Sequence, residues 1–176
     1  MRRISKTEVL HVLEERQRTG IRIDRRVFTA VDASAALFLM TLADEDSFLS
    51  LVWQQSDGVR LLAPHGQSRT LRDVAQRMRE ASFTFQMLAS DLGRPKDEHD
   101  PDWFRVCAKI NAAFDFDRFG WVTVVPANDS ERRQTPDGSL YIYDGVHKTL
   151  VLSKRLVSGE TLFRPVEALL VLPRPD

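Results

Sequence analysis

The stretch Leu140-Tyr-Ile-Tyr-Asp-Gly-Val-His-Lys-Thr149 carries the strongest structural signal in the chain. Two tyrosines and an isoleucine favour an extended strand over Leu140–Tyr143. Gly145 permits a tight turn, and the pattern from Val146 to Val157 then predicts a helix that is stopped by Gly159. The sequence therefore predicts a strand, a turn and a helix in direct succession.

The start of this helix is a candidate binding site for phosphate. A helix N-terminus offers backbone N–H groups and a partial positive charge to an anion. His147, Lys148 and Thr149 add three side chains that can bind phosphate. A lysine at this position works against the helix dipole, so its presence favours a bound anion. The other interpretation is a plain strand–turn–helix connection in which the polar residues only cap the helix, and the local sequence favours neither.

Length and composition are those of an ordinary globular protein. The chain has 176 residues, of which 43% are hydrophobic and 28% charged, and its formal net charge is zero. These values predict one domain over residues 1–176 with a sizeable core, and they argue against binding to nucleic acid or membrane through overall charge. We interpret the arginines crowded near the start as a solvated face: Arg2, Arg3, Arg16, Arg18, Arg22, Arg25 and Arg26.

A single cysteine limits the chemistry of the chain. Cys107 excludes an intrachain disulfide and a Cys-rich zinc site, and its place on the apolar side of a predicted helix indicates an inert buried thiol. The longest apolar-rich run, Val27 to Ala43, is interrupted by Asp32 and is short for a bilayer. The first five residues do not resemble a signal peptide. We therefore expect a cytoplasmic protein with no membrane partner.

Several elements are predicted in the first half of the chain. Ser5 and Glu8 form a capping box, with Ile4 and Val9 as a hydrophobic staple, at the start of the first helix. Further expectations are a strand, a buried helix that follows the cap Asp32, and a hairpin around Ser56-Asp57-Gly58. Their predicted bounds are Val27–Val31 for the strand, Ala33–Leu42 for the helix, and Phe48–Gln54 with Val59–Ala63 for the hairpin.

The remaining chain predicts helices followed by strands. Apolar residues at helical spacing predict one helix over Thr70–Leu92, and Pro101 begins another. Strands are predicted at Trp121–Val125 and Leu140–Tyr143, and at the nearly continuous aliphatic run Val166–Leu172. This mixture predicts an α/β or α+β domain with a mixed sheet and flanking helices.

The segment from Trp121 to Leu172 resembles the ParB/sulfiredoxin-like superfamily. The shared pattern is a strand, a connection, a second strand entering a glycine turn, a helix and a final apolar strand. The run Asp144-Gly-Val-His-Lys148 is similar to the Asp-Gly-x-His-Arg form of that turn, with lysine in place of arginine. Upstream, Pro64-His-Gly-Gln67-Ser-Arg69 is loosely similar to the Pro-x-Gln-x-Arg box of ParB proteins. Residues 1–60 form an unassigned, largely helical extension.

The resemblance implies a pocket for a nucleoside triphosphate or for a phosphate of nucleic acid. It implies phosphate contacts from Gly145, His147, Lys148 and Thr149, and also from Arg69 if the upstream box is real. Asp144 is then the best acid in the site, able to hold Mg²⁺, to orient His147 or to accept a proton. A sulfiredoxin-type reaction is not expected, because the turn contains no cysteine.

Two functions remain open. A ParB-like domain that cleaves phosphoanhydride or phosphodiester bonds would be an NTPase or nuclease, with Asp144 and His147 as catalytic residues. The alternative is a non-catalytic regulatory or partner-binding module in a DNA-processing, defence or plasmid-related system, whose partners are nucleotide, DNA or another protein. The sequence contains no P-loop, dinucleotide fingerprint, nucleophile elbow or zinc-protease motif. No metal ligand cluster is predicted.

Overall fold

A mixed five-stranded sheet organises the part of the chain that the computed structural model describes, which is residues 1–18, 23–53, 62–64, 66–90, 101–126 and 138–174. The strand order is β1-β2-β5-β3-β4, in which β5 and β3 are parallel and the other neighbours antiparallel. This arrangement confirms the predicted mixed α/β class. The strands are Arg2–Arg3 (β1), Ser34–Leu42 (β2), Val122–Pro126 (β3), Leu140–Asp144 (β4) and Val166–Pro173 (β5).

Helices cover both faces of the sheet. One face packs on two N-terminal helices, Lys6–Arg18 (α1) and Arg25–Ala33 (α2), through a core that includes Trp121 and Leu169. The other face packs on the remaining helices through a larger core that includes Val122 and Ile142. These helices are Glu45–Leu49 (α3), Leu71–Glu80 (α4), Phe85–Ala89 (α5), Pro101–Ala112 (α6) and Val146–Val157 (α7). None of the described helices is both long and apolar enough to cross a membrane.

The predicted start of the first helix is confirmed. The Ser5 backbone N–H donates to Glu8 Oε2 at 2.9 Å, and the Glu8 backbone N–H donates to Ser5 Oγ at 3.2 Å. Ile4 and Val9 are buried in the same core cluster, as a hydrophobic staple requires. The sequence predicts that this helix ends at Gly20, which lies outside the described residues.

The prediction for residues 27–42 was wrong, because helix and strand are exchanged. Residues 25–33 form α2, capped by Asp24, whose carboxylate accepts the Arg26 backbone N–H at 2.9 Å. Val27 and Val31 are four residues apart and both fully buried, which fits a helix. Residues 34–42 form β2, which pairs with β5 along its length and with β1 at its middle. Its all-round apolar character reflects cover on both faces of the sheet.

The predicted strand at Phe48–Gln54 was also wrong in its first part. Asp44 caps α3 by accepting the Ser47 backbone N–H at 2.7 Å, so Phe48 and Leu49 are helical. Val52 forms only isolated bridges, to Thr70 and to Tyr141. The Ser56-Asp57-Gly58 turn and most of the second hairpin strand lie outside the described residues.

The single helix predicted over Thr70–Leu92 is two helices. Ser82 has φ +56°, its N–H donates to the Arg79 carbonyl, and the Phe83 N–H donates to the Met78 carbonyl. This Schellman arrangement ends α4, and Thr84 then caps α5 by accepting the Met87 N–H. Apolar spacing continues through the break, so the pattern alone does not show it.

The predicted C-terminal order is confirmed. Strands β3 and β4, the turn at Gly145, helix α7 and strand β5 follow one another as expected, with bounds that differ by one residue at most at each end. A short 3₁₀ helix, Phe116–Arg118, precedes β3. Pro101 begins α6, and Cys107 in that helix is fully buried as predicted.

Candidate functional site

Gly145 makes the turn between β4 and α7. Its φ of +92° lies in the left-handed region, where side chains are disfavoured. A Cβ at this position would lie 2.8 Å from Lys148 Cε and 2.9 Å from Val122 Cγ1. Gly145 also has no side chain to cap the helix, and no side chain of the described residues caps the first N–H groups of α7 in its place. The turn therefore requires glycine for two reasons: its backbone is left-handed, and there is no room for a Cβ.

Lys148 holds this turn against the segment that leads into β3. Its Nζ donates to the Phe119 carbonyl at 2.7 Å and to the Trp121 carbonyl at 2.6 Å, and it lies 5.0 Å from the centre of the Phe119 ring. Burial lowers the pKa of Lys148 to about 8, while the Asp144 carboxylate opposes that shift. At least two of its three ammonium protons are therefore used inside the protein.

Asp144 is the last residue of β4 and lies opposite Thr123 in β3. Burial raises the pKa of its carboxyl above the ordinary value, and the Lys148 ammonium is the largest opposing influence. A carboxyl with a raised pKa binds a proton more readily than an ordinary aspartate does. Asp144 and Lys148 thus form a coupled acid–base pair beneath the turn.

His147 packs on α6. Its ring stacks on the Trp103 indole with a centroid separation of 4.2 Å and an interplanar angle of 27°. Trp103 in turn makes edge contacts with Trp53 and Phe104, at 5.5 Å and 5.2 Å between centroids. The imidazole orientation is therefore set by an aromatic cluster.

Two of the predicted phosphate contacts lie elsewhere. Thr149 is fully buried, and its hydroxyl donates to the Gly145 and Val146 carbonyls, both at 3.0 Å. Arg69 is only 6% exposed and lies just before α4, where its carbonyl accepts the Trp53 N–H. Neither residue lines the cleft at the turn, whereas Asp144, Gly145, His147 and Lys148 all do.

The turn forms the floor of a cleft with a volume of about 1160 Å³. Trp121 lies on this floor beside the turn. One wall comes from α1 and the start of α2, which contribute Arg16, Arg25 and Arg26. The opposite wall comes from α6, which contributes Trp103, Val106 and Ile110. The cleft therefore lies where the two helical layers meet, at the end of β4.

Positive charge predominates along the cleft. The lining includes four cationic side chains, those of Arg16, Arg25, Arg26 and Lys148, and two carboxylates, those of Asp24 and Asp144. Arg26 is paired with Asp24 at 2.7 Å. The Arg16 guanidinium lies over the Trp121 ring, 4.3 Å from its centroid, and its burial lowers its pKa. The cleft is thus an electropositive site with aromatic surfaces.

The sequence analysis did not assign the α1–α2 wall to the site. Most of the N-terminal arginines in the described part are exposed, as expected for a solvated face, but Arg16 is half-buried in the cleft. The crowding of arginines was the available signal. The crowding of arginines does not show where they lie in the fold, because α1 is brought to the C-terminal end of β4 by long-range packing.

Metal binding by protein ligands alone finds no support in the described residues. No three His, Cys, Asp or Glu side chains of that part of the chain are grouped to hold an ion. Mg²⁺ commonly binds through one carboxylate together with the phosphates of a nucleotide. Asp144 is the carboxylate of the cleft floor that fits this role.

Comparison with protein-family models, with curated proteins and with solved structures gave no match for this chain. The class that the fold defines is accordingly a mixed α/β protein with a basic, aromatic cleft.

Proposed function

We propose that the cleft at the β4–α7 turn binds a nucleotide through its phosphates, as a ParB/sulfiredoxin-like domain would. The observation that supports this most directly is the convergence of cationic side chains and the N-terminus of α7, which no described side chain caps, on one cleft. Anions are stabilised both by the partial charge of a helix start and by nearby guanidinium groups. A phosphate at this place receives both contributions.

The dimensions and surfaces of the cleft support a nucleotide rather than a bare anion. Pockets for small molecules commonly enclose about 300–1,000 Å³, and the cleft volume of about 1160 Å³ is sufficient for a nucleoside triphosphate. Trp103 and Tyr143 supply aromatic surface in the same cleft, whereas the Trp121 ring lies beneath Arg16. Aromatic rings bind bases by stacking.

If the protein is an enzyme, hydrolysis of a phosphoanhydride or phosphodiester bond is the chemistry that the residues suit. Asp144 would accept the proton of the attacking water, because burial raises its pKa and so makes it a stronger base than an ordinary aspartate. The N-terminal N–H groups of α7 and the cations of the cleft would stabilise the charge that develops on the phosphate. As an alternative to this general-base role, Asp144 would hold Mg²⁺ together with the phosphates, and the ion would then supply the charge neutralisation.

The second candidate is a binding module without turnover. Lys148 donates to two backbone carbonyls, and His147 is stacked on Trp103, so packing holds both predicted functional side chains in place. Such a turn would sense a nucleotide and transmit its presence to the helices around it. A cytoplasmic location and a role with DNA or a partner protein belong to this proposal and stay predictions.

A thermal-shift panel with the four ribonucleoside triphosphates, each with and without magnesium, tests the proposal. A ligand that binds only the folded state at about a hundredfold excess over Kd stabilises it by about 2.7 kcal/mol. A short DNA duplex is included as a separate probe. Absence of any shift and of any binding by titration would refute the proposal.

Turnover is measured on the same samples as release of inorganic phosphate. Asp144→Asn should remove phosphate release and retain binding if the protein is an enzyme. Asp102→Asn, an exposed aspartate of α6, is the matched control. Binding without release in the wild-type protein supports the binding module.

A further inference from the structure

The two walls of the cleft differ in chemistry. The α1–α2 wall presents guanidinium groups, the Asp24 carboxylate and two aliphatic side chains, whereas the α6 wall presents only apolar ones, those of Trp103, Val106 and Ile110. Val106 is 43% exposed although it is a large apolar residue. Its exposed surface faces the same cleft as the arginines. A ligand that fits both walls must itself have one charged and one apolar, flat part.

The α6 wall is rigid and aromatic. Trp103 is stacked on His147 and makes T-shaped contacts with Trp53 and Phe104. Its orientation is therefore fixed before any ligand arrives. A fixed aromatic and aliphatic surface binds a planar ring at a small entropic cost.

The α1–α2 wall holds its charges in different ways. Arg16 lies flat on Trp121, and its Nη1 would be 2.8 Å from a Cβ at Gly120, so a tight fit fixes its position. Arg26 is paired with Asp24. Arg25, the first residue of α2, is exposed at the rim of the cleft. Arg16 of α1 and Arg25 of α2 thus both line the cleft.

We infer that the two walls bind different halves of one nucleotide: the base lies against Trp103 and Val106 of α6, and the phosphates lie between Arg16, Arg25 and the start of α7. This inference rests on the proposed function and extends it. It assigns to the N-terminal extension a direct part in the site, since α1 and α2 supply the charges that the phosphates require. Base and phosphate recognition are thereby separated between the two helical layers.

Two variants at exposed positions test this division. For each variant, Kd is measured for two ligands: the nucleoside triphosphate that binds in the thermal-shift panel, and inorganic triphosphate. Arg25→Ala removes one guanidinium and should raise Kd about tenfold for both ligands, as expected for a charge-assisted hydrogen bond. Val106→Asn removes apolar contact and should raise Kd about threefold for the nucleoside triphosphate alone. Isothermal titration calorimetry at constant ionic strength gives the four values.

Matched controls separate these effects from general ones. Arg18→Ala removes an exposed arginine of α1 that does not line the cleft, and Met87→Asn changes an exposed apolar residue of α5. Both should bind as the wild-type protein does. The assignment is overturned if Val106→Asn weakens inorganic triphosphate equally, if Arg25→Ala behaves as Arg18→Ala does, or if inorganic triphosphate binds as tightly as the nucleotide. If the wild-type protein binds no nucleotide, the proposed function itself is refuted.

Discussion

At the scale of single residues, Gly145 should tolerate a side chain poorly. Gly145→Ala should lower the free energy of unfolding by about 2–4 kcal/mol, because a left-handed backbone and two close contacts would both be strained. Urea denaturation followed by circular dichroism measures this change. Gly159→Ala is the control, since Gly159 has φ +69° but nothing within 4 Å of a Cβ. It should lose only about 1 kcal/mol, and equal losses would show that the contacts with Lys148 and Val122 do not matter.

Lys148 should make stability depend on pH in the alkaline range. Its folded pKa of about 8 is below the ordinary 10.5, so between these values the unfolded chain binds more protons than the folded one. The free energy of unfolding then increases with pH in that window. We therefore expect the wild-type value minus the Lys148→Met value to be flat below pH 8 and to rise from pH 8 toward pH 10.5.

Urea denaturation at several pH values tests this, and the subtraction removes other titrating groups such as Cys107. Lys109→Met, which changes an exposed lysine of α6, should give a difference without this rise. A flat or falling difference for Lys148→Met would mean that the ammonium is not desolvated in the folded state.

At the scale of elements, the sequence predicted best where the signals are local. The turn at Gly145 and the capping box at Ser5 and Glu8 depend on residues close in sequence, and both are confirmed. The prediction for residues 27–42 was wrong because a short apolar run fits a buried helix and a strand covered on both faces equally well. Pairing of β2 with β5, more than a hundred residues away, decides between them.

The candidate site was predictable only in part for the same reason. Asp144, Gly145, His147 and Lys148 are neighbours in sequence and were found together. Arg16 and Trp103 belong to helices distant in sequence, and only packing brings them to the cleft. Thr149 follows Gly145 by one helical turn, which directs its hydroxyl back to the helix carbonyls.

The break between α4 and α5 gives a prediction at this scale. Ser82 occupies the left-handed position of the Schellman motif, where glycine is favoured. Ser82→Gly should therefore raise the free energy of unfolding by about 0.5–1 kcal/mol. Chemical denaturation measures the change. Ser158→Gly, at the end of α7 with φ −85°, should give no gain. A loss at Ser82 would indicate that the break is not held by this conformation.

At the scale of the whole molecule, Cys107 reports on the larger core. It is fully buried in α6 among residues of both the sheet and the helices, and burial raises the pKa of its thiol. A thiol reagent should therefore react only when the domain unfolds, so the rate should follow the unfolded fraction as urea is added. Ser158→Cys places a second thiol at an exposed site and should add a reaction that needs no urea. Fast reaction of Cys107 in native buffer would show local opening of α6.

The order of strands also has a consequence for folding during synthesis. β5 joins β2 on one side and β3 on the other, so it lies inside the sheet although it follows the other four strands in the chain. While the ribosome is still producing α7, the β1–β2 pair and the β3–β4 pair have no strand to join them. Until β5 is made, each of these two strand pairs has an edge whose backbone hydrogen bonds are unpaired. Nascent chains with such edges are prone to aggregate and are bound by chaperones. The sheet can therefore close only after β5 has been synthesised.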